Sequence, residues 1–268
     1  MKPSPGLVFL KLGGALLEDP GPRRRLAASL ARRWKEGLRF ALVHGGGAQL
    51  GRAAKERGLE ERRVQGLRIT DETTALLGMR VLAGEVNKRL VASLCEAGLP
   101  ALGLCGADLS LFRPRRKSLP GADLGYVGGL APSDCDGEAL GALLARDLCP
   151  VLATVGPGRE EGPEAPFLNV NADEAAGPLA AAAGAARLLL VTEVEGVLDG
   201  TGALIPRIRA EKIEDLIAAG TVRGGMVPKL RAARVALEGG VAEVRILGAP
   251  DGDPLEAACA GAGTEVFR

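Results

Sequence analysis

Runs of consecutive apolar residues recur along the chain, and longer segments with apolar positions at helical spacing separate them. Buried strands are predicted at residues 7–10, 40–43, 101–104, 151–155, 188–192 and 243–246. A strand that is apolar on both faces is typical of a parallel sheet covered by helices on each side. The alternation of strands and helices therefore predicts an α/β fold with a largely parallel sheet.

Helices are predicted at residues 23–36, 48–57, 71–97 and 175–186. Thr70-Asp71-Glu72 offers an N-cap and an acidic first turn to the third of these helices. Residues 110–130, which are rich in Arg, Pro and Gly, break the alternation, and we expect them to form hairpins or a flap over a pocket. Residues 156–166 are predicted to form a loop.

Composition and charge narrow the class of protein. At 268 residues the chain can hold a large core, and its net charge of +1 predicts no face for nucleic acid or acidic lipid. Five scattered cysteines and a single histidine exclude the usual zinc motifs and a disulfide framework. No apolar run has the length of a signal peptide or a membrane span. We therefore expect a cytoplasmic protein with no nucleic-acid or membrane partner.

Two glycine-rich turns follow the first two predicted strands: Gly13-Gly14 and Gly45-Gly46-Gly47. In a parallel sheet such loops leave the carboxyl ends of strands, where ligands bind, and the N–H groups of a helix start attract anions. Either run is also consistent with a plain tight turn. The Gly-x-Gly-x-x-Gly fingerprint and the phosphate-binding Gly-Lys-Ser/Thr loop are absent from the sequence, so a nucleotide would be bound in another way.

Lys11 in Lys-Leu-Gly-Gly and Lys229 in Gly-Gly-Met-Val-Pro-Lys are candidates for contacts with phosphate. Arginine is far commoner than lysine in this chain, so lysine at these two positions is informative. An ammonium is a compact point charge that can follow a moving phosphoryl group, whereas a guanidinium is a rigid planar fork. The alternative is a pair of solvated surface lysines.

Further polar residues complete the set of candidates. Asn169, Asn171 and Asp173 alternate in a segment predicted to be extended, which would place them on one side beside the start of the next helix. The plain alternative is a helix N-cap. Arg68 could form a bidentate contact with a carboxylate. His44, the single histidine, lies between a predicted strand and a glycine turn, and we expect a structural role for it.

The order of these motifs resembles the amino acid kinase family over nearly all of residues 7–266. The motifs are Lys-Leu-Gly-Gly, Val-His-Gly-Gly-Gly, Gly-Leu-Arg-Ile-Thr-Asp, Val-Asn-Lys, Asp-Leu-Gly-Tyr-Val-Gly, Asn-Val-Asn-Ala-Asp and Gly-Gly-Met-Val-Pro-Lys. The resemblance implies a three-layer αβα sandwich whose central sheet is mostly parallel and has about eight strands. It also implies one domain over residues 1–268, with an amino-acid-binding and dimerisation lobe at about 1–177 and a nucleotide-binding lobe at about 178–268.

The activity implied by the resemblance is phosphorylation of the γ-carboxylate of N-acetyl-L-glutamate by ATP, a step of arginine biosynthesis. Gly66-Leu67-Arg68 and the Asn169 segment are the parts that indicate this acceptor. Mg²⁺ would be carried by the nucleotide, with no metal site in the protein itself. Arg68 and Asn169 would hold the substrate carboxylate.

The resemblance also implies the roles of the phosphate-binding residues. Lys11 and Lys229 would stabilise the phosphoryl group in transit, Asp173 would orient both lysines, and Gly46 and Gly47 would offer backbone N–H groups to phosphate and substrate. The residues expected to bind the nucleotide are Gly13, Gly14, Glu193, Val194, Glu195, Gly196, Val197, Leu198, Thr221, Val222 and Arg223. The family usually has Asp at the position of Glu193, whose side chain is one methylene longer.

Two alternatives stay open. A sibling carboxylate kinase that acts on aminoadipate or another acyl acceptor would share every phosphate motif. A non-catalytic amino-acid sensor on the same fold would be expected to have lost a lysine or the aspartate, and the chain keeps all three. Only six residues, Pro3 and Pro5 among them, precede Leu7 and leave no room for the extra N-terminal helix of arginine-inhibited relatives, so we expect a homodimer insensitive to arginine.

Overall fold

A computed structural model describes residues 6–64, 67–162, 164–248 and 252–268. Gly66 of the Gly-Leu-Arg motif lies outside the described residues, and so do Pro3 and Pro5, on which the expectation about an N-terminal helix depends.

The strands belong to three sheets. In chain order they are β1 (Val8–Leu12), β2 (Phe40–His44), β3 (Arg63–Val64), β4 (Leu67–Arg68), β5 (Ala101–Leu104), β6 (Arg115–Arg116), β7 (Val127–Gly129), β8 (Cys149–Ala153), β9 (Val155–Gly156), β10 (Leu168–Val170), β11 (Arg187–Thr192), β12 (Arg207–Arg209), β13 (Glu243–Gly248) and β14 (Thr264–Phe267). Over the described ranges, the main sheet has eight strands in the order β12-β14-β13-β11-β1-β2-β8-β5. Neighbouring strands of this sheet run parallel, with the exception of the antiparallel pair β13–β14. The predicted, largely parallel sheet is thus confirmed.

The described residues also form helices of different lengths. In chain order they are α1 (Gly14–Glu18), α2 (Pro20–Lys35), α3 (Gly47–Glu56), α4 (Glu72–Met79), α5 (Asn87–Glu96), α6 (Gly137–Ala145), α7 (Ala172–Ala182), α8 (Ile213–Ala218), α9 (Met226–Glu238) and α10 (Pro254–Cys259). Short 3₁₀ turns occur at Asp108–Ser110, Pro132–Asp134 and Ala210–Lys212.

Alternate side chains of β1 enter two separate hydrophobic cores. Phe9 lies in one core with Leu179 of α7 and Leu230 of α9. Leu10 lies in the other core with Leu30 of α2. Because successive residues of a strand face opposite sides of the sheet, a strand that is apolar at every position requires a helical layer on each face. The three-layer αβα sandwich is confirmed.

The helical segment predicted at residues 71–97 contains a π-helical stretch. Arg80–Val86 joins α4 to α5 with the wider π-helical hydrogen bonding. Its Leu82 lies against Gly46, where an added Cβ would be 2.5 Å from Leu82 Cδ2. Hydrophobic periodicity did not reveal this irregularity, which brings an apolar side chain against a glycine loop and is frequent at functional sites.

The segment predicted to form hairpins or a flap contributes β6 and β7, an antiparallel pair. These strands belong to a four-stranded sheet in the order β6-β7-β10-β9 within the described chain. The strand predicted at residues 151–155 is divided in two. The chain bends at Thr154, and Val155 pairs with β10 instead of continuing in the main sheet. Gly156, predicted as loop, is the last residue of β9.

The predicted turn at Gly13-Gly14 is shorter than expected. Strand β1 extends to Leu12, and Gly14 is already the first residue of α1, for which Gly13 is the N-cap. Leu12 and His44 are register partners in the parallel pair β1–β2. The two glycine turns consequently leave the same edge of the sheet, next to each other.

All five cysteines are within the described residues and form no disulfide with one another, and Cys95 and Cys259 are exposed. Cys149 is fully buried, and this burial raises the pKa of its thiol. No helix in the described ranges combines the length and apolar composition that crossing a bilayer requires.

The close contact between α7 and α9 gives a test of the packing. A Cβ at Gly177 of α7 would lie 2.5 Å from the carbonyl oxygen of Ala232 in α9. We expect Gly177→Ala to lower the free energy of unfolding by about 1–3 kcal/mol, because overpacking forces the helices apart. Urea denaturation measures this change.

Gly141→Ala in α6 is the matched control for this variant. Apart from the adjoining helix backbone, no atom of the described residues lies within 4 Å of a Cβ added at Gly141. The substitution should therefore stabilise the helix by about 0.5–1 kcal/mol. Equal effects of the two substitutions would contradict the close helix contact.

Candidate active site

The start of α7 fixes the central acid of the site. Asn171 is the N-cap, and its Oδ1 accepts hydrogen bonds from the backbone N–H groups of Asp173 at 2.9 Å and Glu174 at 3.4 Å. Only Asn169, in β10, lies in an extended strand, so the predicted alternation through Asp173 is wrong in its backbone geometry. Asn169, Asn171 and Asp173 nevertheless line the same cleft.

Asp173 binds two lysines that are remote in the chain. Lys11 Nζ, at the end of β1, lies 2.8 Å from Asp173 Oδ1. Lys229 Nζ, near the start of α9, lies 3.0 Å from Asp173 Oδ2. The three side chains are only 7%, 12% and 11% exposed for Lys11, Lys229 and Asp173. The alternative of two solvated surface lysines is therefore wrong.

Burial and neighbouring charges act in opposite directions on Lys11. Burial lowers the pKa of Lys11 below its ordinary value, and the positive charge of Lys229 acts in the same direction. The carboxylates of Asp173 and Glu193 oppose this decrease in the pKa of Lys11. Together the two ammonium groups and Asp173 carry a net charge of +1 (two minus one), which favours a further anion at this position.

A cleft of about 210 Å³ opens beside this ion-paired group. The predicted site residues that line it are Lys11, Gly13, Gly46, Gly47, Arg68, Asn169 and Asp173. Lining residues that the sequence did not indicate include Arg63, Leu82 and Thr154. Thr154 had no recognisable signal, because it reaches the cleft through the bend that leads into the small sheet. Val127 also lines the cleft and belongs to the Asp-Leu-Gly-Tyr-Val-Gly motif, although no role was predicted for it.

The second glycine turn leads directly into α3. Gly46 is the N-cap and has no side chain to cap the first N–H groups of the helix, of which Gly47 is the first residue. Such uncapped N–H groups attract anions. Space is also limited at Gly46, because a Cβ there would lie 2.5 Å from Leu82 Cδ2 and the leucine side chain would have to shift.

Arg68 is buried at the same cleft, with 6% of its side chain exposed. Its Nη2 donates to the carbonyl oxygen of Gly47 at 3.1 Å, and its Nη1 lies 2.9 Å from Glu61 Oε2. Burial lowers the pKa of Arg68, although an arginine stays protonated at neutral pH. Glu61 and Gly47 each contact one nitrogen of the guanidinium. Its remaining N–H groups can donate to the carboxylate of a ligand.

His44 is fully buried, and both ring nitrogens have partners. Nδ1 lies 2.7 Å from the carbonyl oxygen of Gly45, which can only accept, so Nδ1 carries the proton and donates it. Nε2 accepts from the Asn87 side-chain amide at 3.0 Å. The predicted structural role agrees with this geometry: the imidazole ties the glycine turn to α5.

The residues predicted to bind a nucleotide lie mostly beyond the cleft, in the turn after β11 and in the residues before α9. Val194 and Leu198 are 41% and 37% exposed, whereas Val197 and Val222 belong to the hydrophobic core. Glu193, the first residue of this turn, is close enough to Lys11 for its charge to raise the pKa of that lysine. The turn is thus next to the ion-paired lysines.

A sequence profile of the amino acid kinase family matches residues 6–248 of this chain, a range that includes Lys11, Asp173 and Lys229. The chain belongs to the amino acid kinase family. Among similar members, an acetylglutamate kinase from Koribacter versatilis is 43% identical over 248 residues, which are 92% of each chain. An acetylglutamate kinase from Methanopyrus kandleri is 47% identical over 212 residues, 76% of this chain and 84% of that one.

Solved structures agree with membership of the amino acid kinase family. An N-acetylglutamate synthase from Neisseria gonorrhoeae, complexed with coenzyme A and N-acetyl-glutamate, matches with a TM-score of 0.81 at 25% identity. The match covers 98% of this chain and 59% of the synthase chain. A carbamate kinase from Giardia lamblia bound to AMP-PNP has a TM-score of 0.67 over 98% of both chains, and its 16% identity shows a shared fold only.

The burial of the His44 imidazole predicts how the free energy of unfolding changes with pH. Burial lowers the pKa of His44 from 6.5 to about 4. Between these values the unfolded chain binds a proton that the folded protein does not, so stability falls as the pH decreases. Between pH 6.5 and about 4, the free energy of unfolding decreases by about 1.4 kcal/mol for each pH unit.

The variant His44→Gln removes this titration, so its unfolding free energy should decrease less than that of the wild type between pH 7 and pH 5. Urea denaturation at the two pH values measures the difference. Parallel changes in both proteins would show that His44 is not held neutral in the folded state.

Proposed function

We propose that this protein transfers the γ-phosphoryl group of ATP to the γ-carboxylate of N-acetyl-L-glutamate, giving N-acetyl-L-glutamyl 5-phosphate and ADP. The observation that carries the proposal is the convergence of Lys11 and Lys229 on Asp173, beside a cleft that Lys11, Asp173, Arg68 and Asn169 line. Relatives named acetylglutamate kinase, similar over most of the chain, support this acceptor.

The substrate carboxylate that does not react is assigned to Arg68 and Asn169. Arg68 is rigidly placed by Glu61 and the Gly47 carbonyl, and a fixed guanidinium recognises a carboxylate with two parallel hydrogen bonds. Asn169 lies in β10 and faces the same cleft. With this end held, the γ-carboxylate is directed toward the lysines.

No general base is required for the reaction. A γ-carboxylate with an ordinary pKa of about 4.3 is already ionised at neutral pH and can attack phosphorus directly. The single histidine is buried with both ring nitrogens engaged, so it takes no part in proton transfer. The barrier is mainly electrostatic, because an anion approaches a polyanionic phosphate.

Catalysis therefore depends on neutralising charge at fixed positions. Lys11 and Lys229 stabilise the transferring phosphoryl group, and the N–H groups of Gly46 and Gly47 donate to its oxygens and to the substrate. Asp173 touches neither substrate: it holds both ammonium groups against their mutual repulsion. ATP brings Mg²⁺ with its phosphates.

The nucleotide is assigned to the rim formed by Gly13, Gly14, residues 193–198 and residues 221–223. The exposed apolar side chains of Val194 and Leu198 suit the face of a purine, and Glu193 places the start of this turn near Lys11. This assignment corresponds to two lobes, residues 1–177 for the amino acid and residues 178–268 for the nucleotide. A homodimer formed through the first lobe and a cytoplasmic location, which suits five unpaired cysteines, belong to the same proposal.

Removing either lysine tests the phosphoryl contact. We expect Lys11→Ala and Lys229→Ala each to reduce kcat at least about a hundredfold, because loss of one charged or hydrogen-bonding group at a developing anion typically costs about 2.7–4 kcal/mol. Acyl-hydroxamate formation measures the rate, and circular dichroism checks the fold.

Lys212→Ala is the control for these variants. Lys212 is 62% exposed and pairs with Asp215 one helical turn away, so its removal should leave kcat unchanged. Full activity of Lys11→Ala or Lys229→Ala would refute the proposed contact.

A panel of acyl acceptors tests the substrate. We expect ATP-dependent hydroxamate formation with N-acetyl-L-glutamate and much less with glutamate or aminoadipate, because the relatives that are similar over most of the chain are named acetylglutamate kinase. Preference for aminoadipate would favour the sibling carboxylate kinase. Absence of turnover with every acid would favour the amino-acid sensor.

A further inference from the structure

A pair of arginines lies directly across the β3–β4 hairpin. Arg63 and Arg68 are register partners in this antiparallel pair. Side chains that are directly opposite lie on the same face of a hairpin, and like charges at such positions repel. Both arginines also line the cleft. The chain therefore keeps two like charges together at one end of the substrate site.

Glu61 bridges the two guanidinium groups. Its Oε1 accepts a hydrogen bond from Arg63 Nε at 2.6 Å, and its Oε2 lies 2.9 Å from Arg68 Nη1. Burial raises the pKa of Glu61, but the hydrogen bond from Arg63 and the charge of Arg68 outweigh it and hold the pKa below its usual value. Glu61 is consequently ionised at neutral pH and holds the arginines close together.

The neighbouring helix leaves room for this bridge. At Gly51 of α3, an added Cβ would lie 3.2 Å from Glu61 Oε2 and 3.5 Å from Arg68 Nη2. Glu61 is not among the residues that line the cleft, whereas both arginines are. The bridging carboxylate thus approaches the guanidinium groups from outside the cleft and does not occupy the position of a ligand.

Glu60 and Arg62, each one position earlier in the sequence, form a Glu–Arg pair away from the cleft. Arg62 and Glu60 are 74% and 82% exposed, their closest charged atoms are 3.7 Å apart, and neither lines the cleft. Two Glu–Arg pairs with the same spacing therefore have different surroundings. Of these two pairs, the one formed by Glu61 and Arg63 is joined to the buried Arg68, through Glu61.

We propose that Arg63 is a second binding residue for the α-carboxylate of the acyl acceptor, beside Arg68. Two cationic side chains in the lining of the cleft favour an anionic group of the ligand beside them. Arg63 is half exposed at the cleft, so it supplies an additional charge at the mouth while Arg68 supplies the buried contact. This inference rests on the proposed function and assigns acceptor specificity to Arg63.

Arg63→Gln tests the assignment, with Arg62→Gln as the matched control. Binding of N-acetyl-L-glutamate is measured by calorimetry without nucleotide, and KM and kcat are measured by the hydroxamate assay. We expect Arg63→Gln to raise Kd and KM for N-acetyl-L-glutamate about fivefold, the size typical of a partly exposed ion pair, with kcat and the KM for ATP unchanged. Arg63→Lys should recover part of the affinity, since it keeps the charge without the fork.

A substrate lacking the α-carboxylate distinguishes the loss of carboxylate recognition from a general distortion of the site. N-acetyl-L-glutamate α-amide keeps the γ-carboxylate and replaces the α-carboxylate by a neutral group. Its Kd and KM should be nearly equal in the wild type and in Arg63→Gln. Equal losses for the acid and the amide, or an acid affinity no lower than that of Arg62→Gln, would overturn the assignment.

A failure of the proposed function would give a different experimental result from a failure of the role assigned to Arg63. Wild-type protein that neither binds nor phosphorylates N-acetyl-L-glutamate would refute the proposed function. Wild-type binding that Arg63→Gln leaves intact would refute only the role of Arg63.

Discussion

One carboxylate between two buried ammonium groups is the constraint on which the site depends. Removing a lysine from water is costly, and two lysines side by side add mutual repulsion to that cost. Asp173 offsets both effects, since each of its oxygens contacts a different lysine. The resulting arrangement keeps both ammonium groups in a nearly dry position, and that is the condition under which a point charge acts strongly on a phosphate.

The fold brings these charges together by two separate means. Parallel strands end at the same edge of the sheet, so Lys11 at the end of β1 is next to the glycine turn that follows β2. The close approach of α7 and α9, permitted by Gly177, places Asp173 beside Lys229. The N-cap by Asn171 then fixes where α7 begins, and with it the direction of the Asp173 side chain.

Much of this could be predicted from the sequence, because the informative patterns are local. Unbroken apolar strands indicated the parallel sheet, and the lysines beside glycine turns were singled out as candidates that the structure places together on Asp173. Features that depend on tertiary packing were not accessible. The bend at Thr154, which moves Val155 into a second sheet, has no local signal, and the π-helical turn at Leu82 looks like ordinary helix in its periodicity. Arg63 was missed because its meaning comes from the cross-strand partner Arg68 and the bridging Glu61.

The place of β1 in the sheet has a consequence for how the protein is made. β1 lies between β2, which follows it closely in the chain, and β11, which comes some 180 residues later. During synthesis, one side of β1 therefore remains an edge with unpaired backbone N–H and C=O groups until most of the polypeptide has left the ribosome. Long-range pairing of this kind raises the contact order and slows folding. The nascent chain is thus most exposed to aggregation in the interval before β11 arrives.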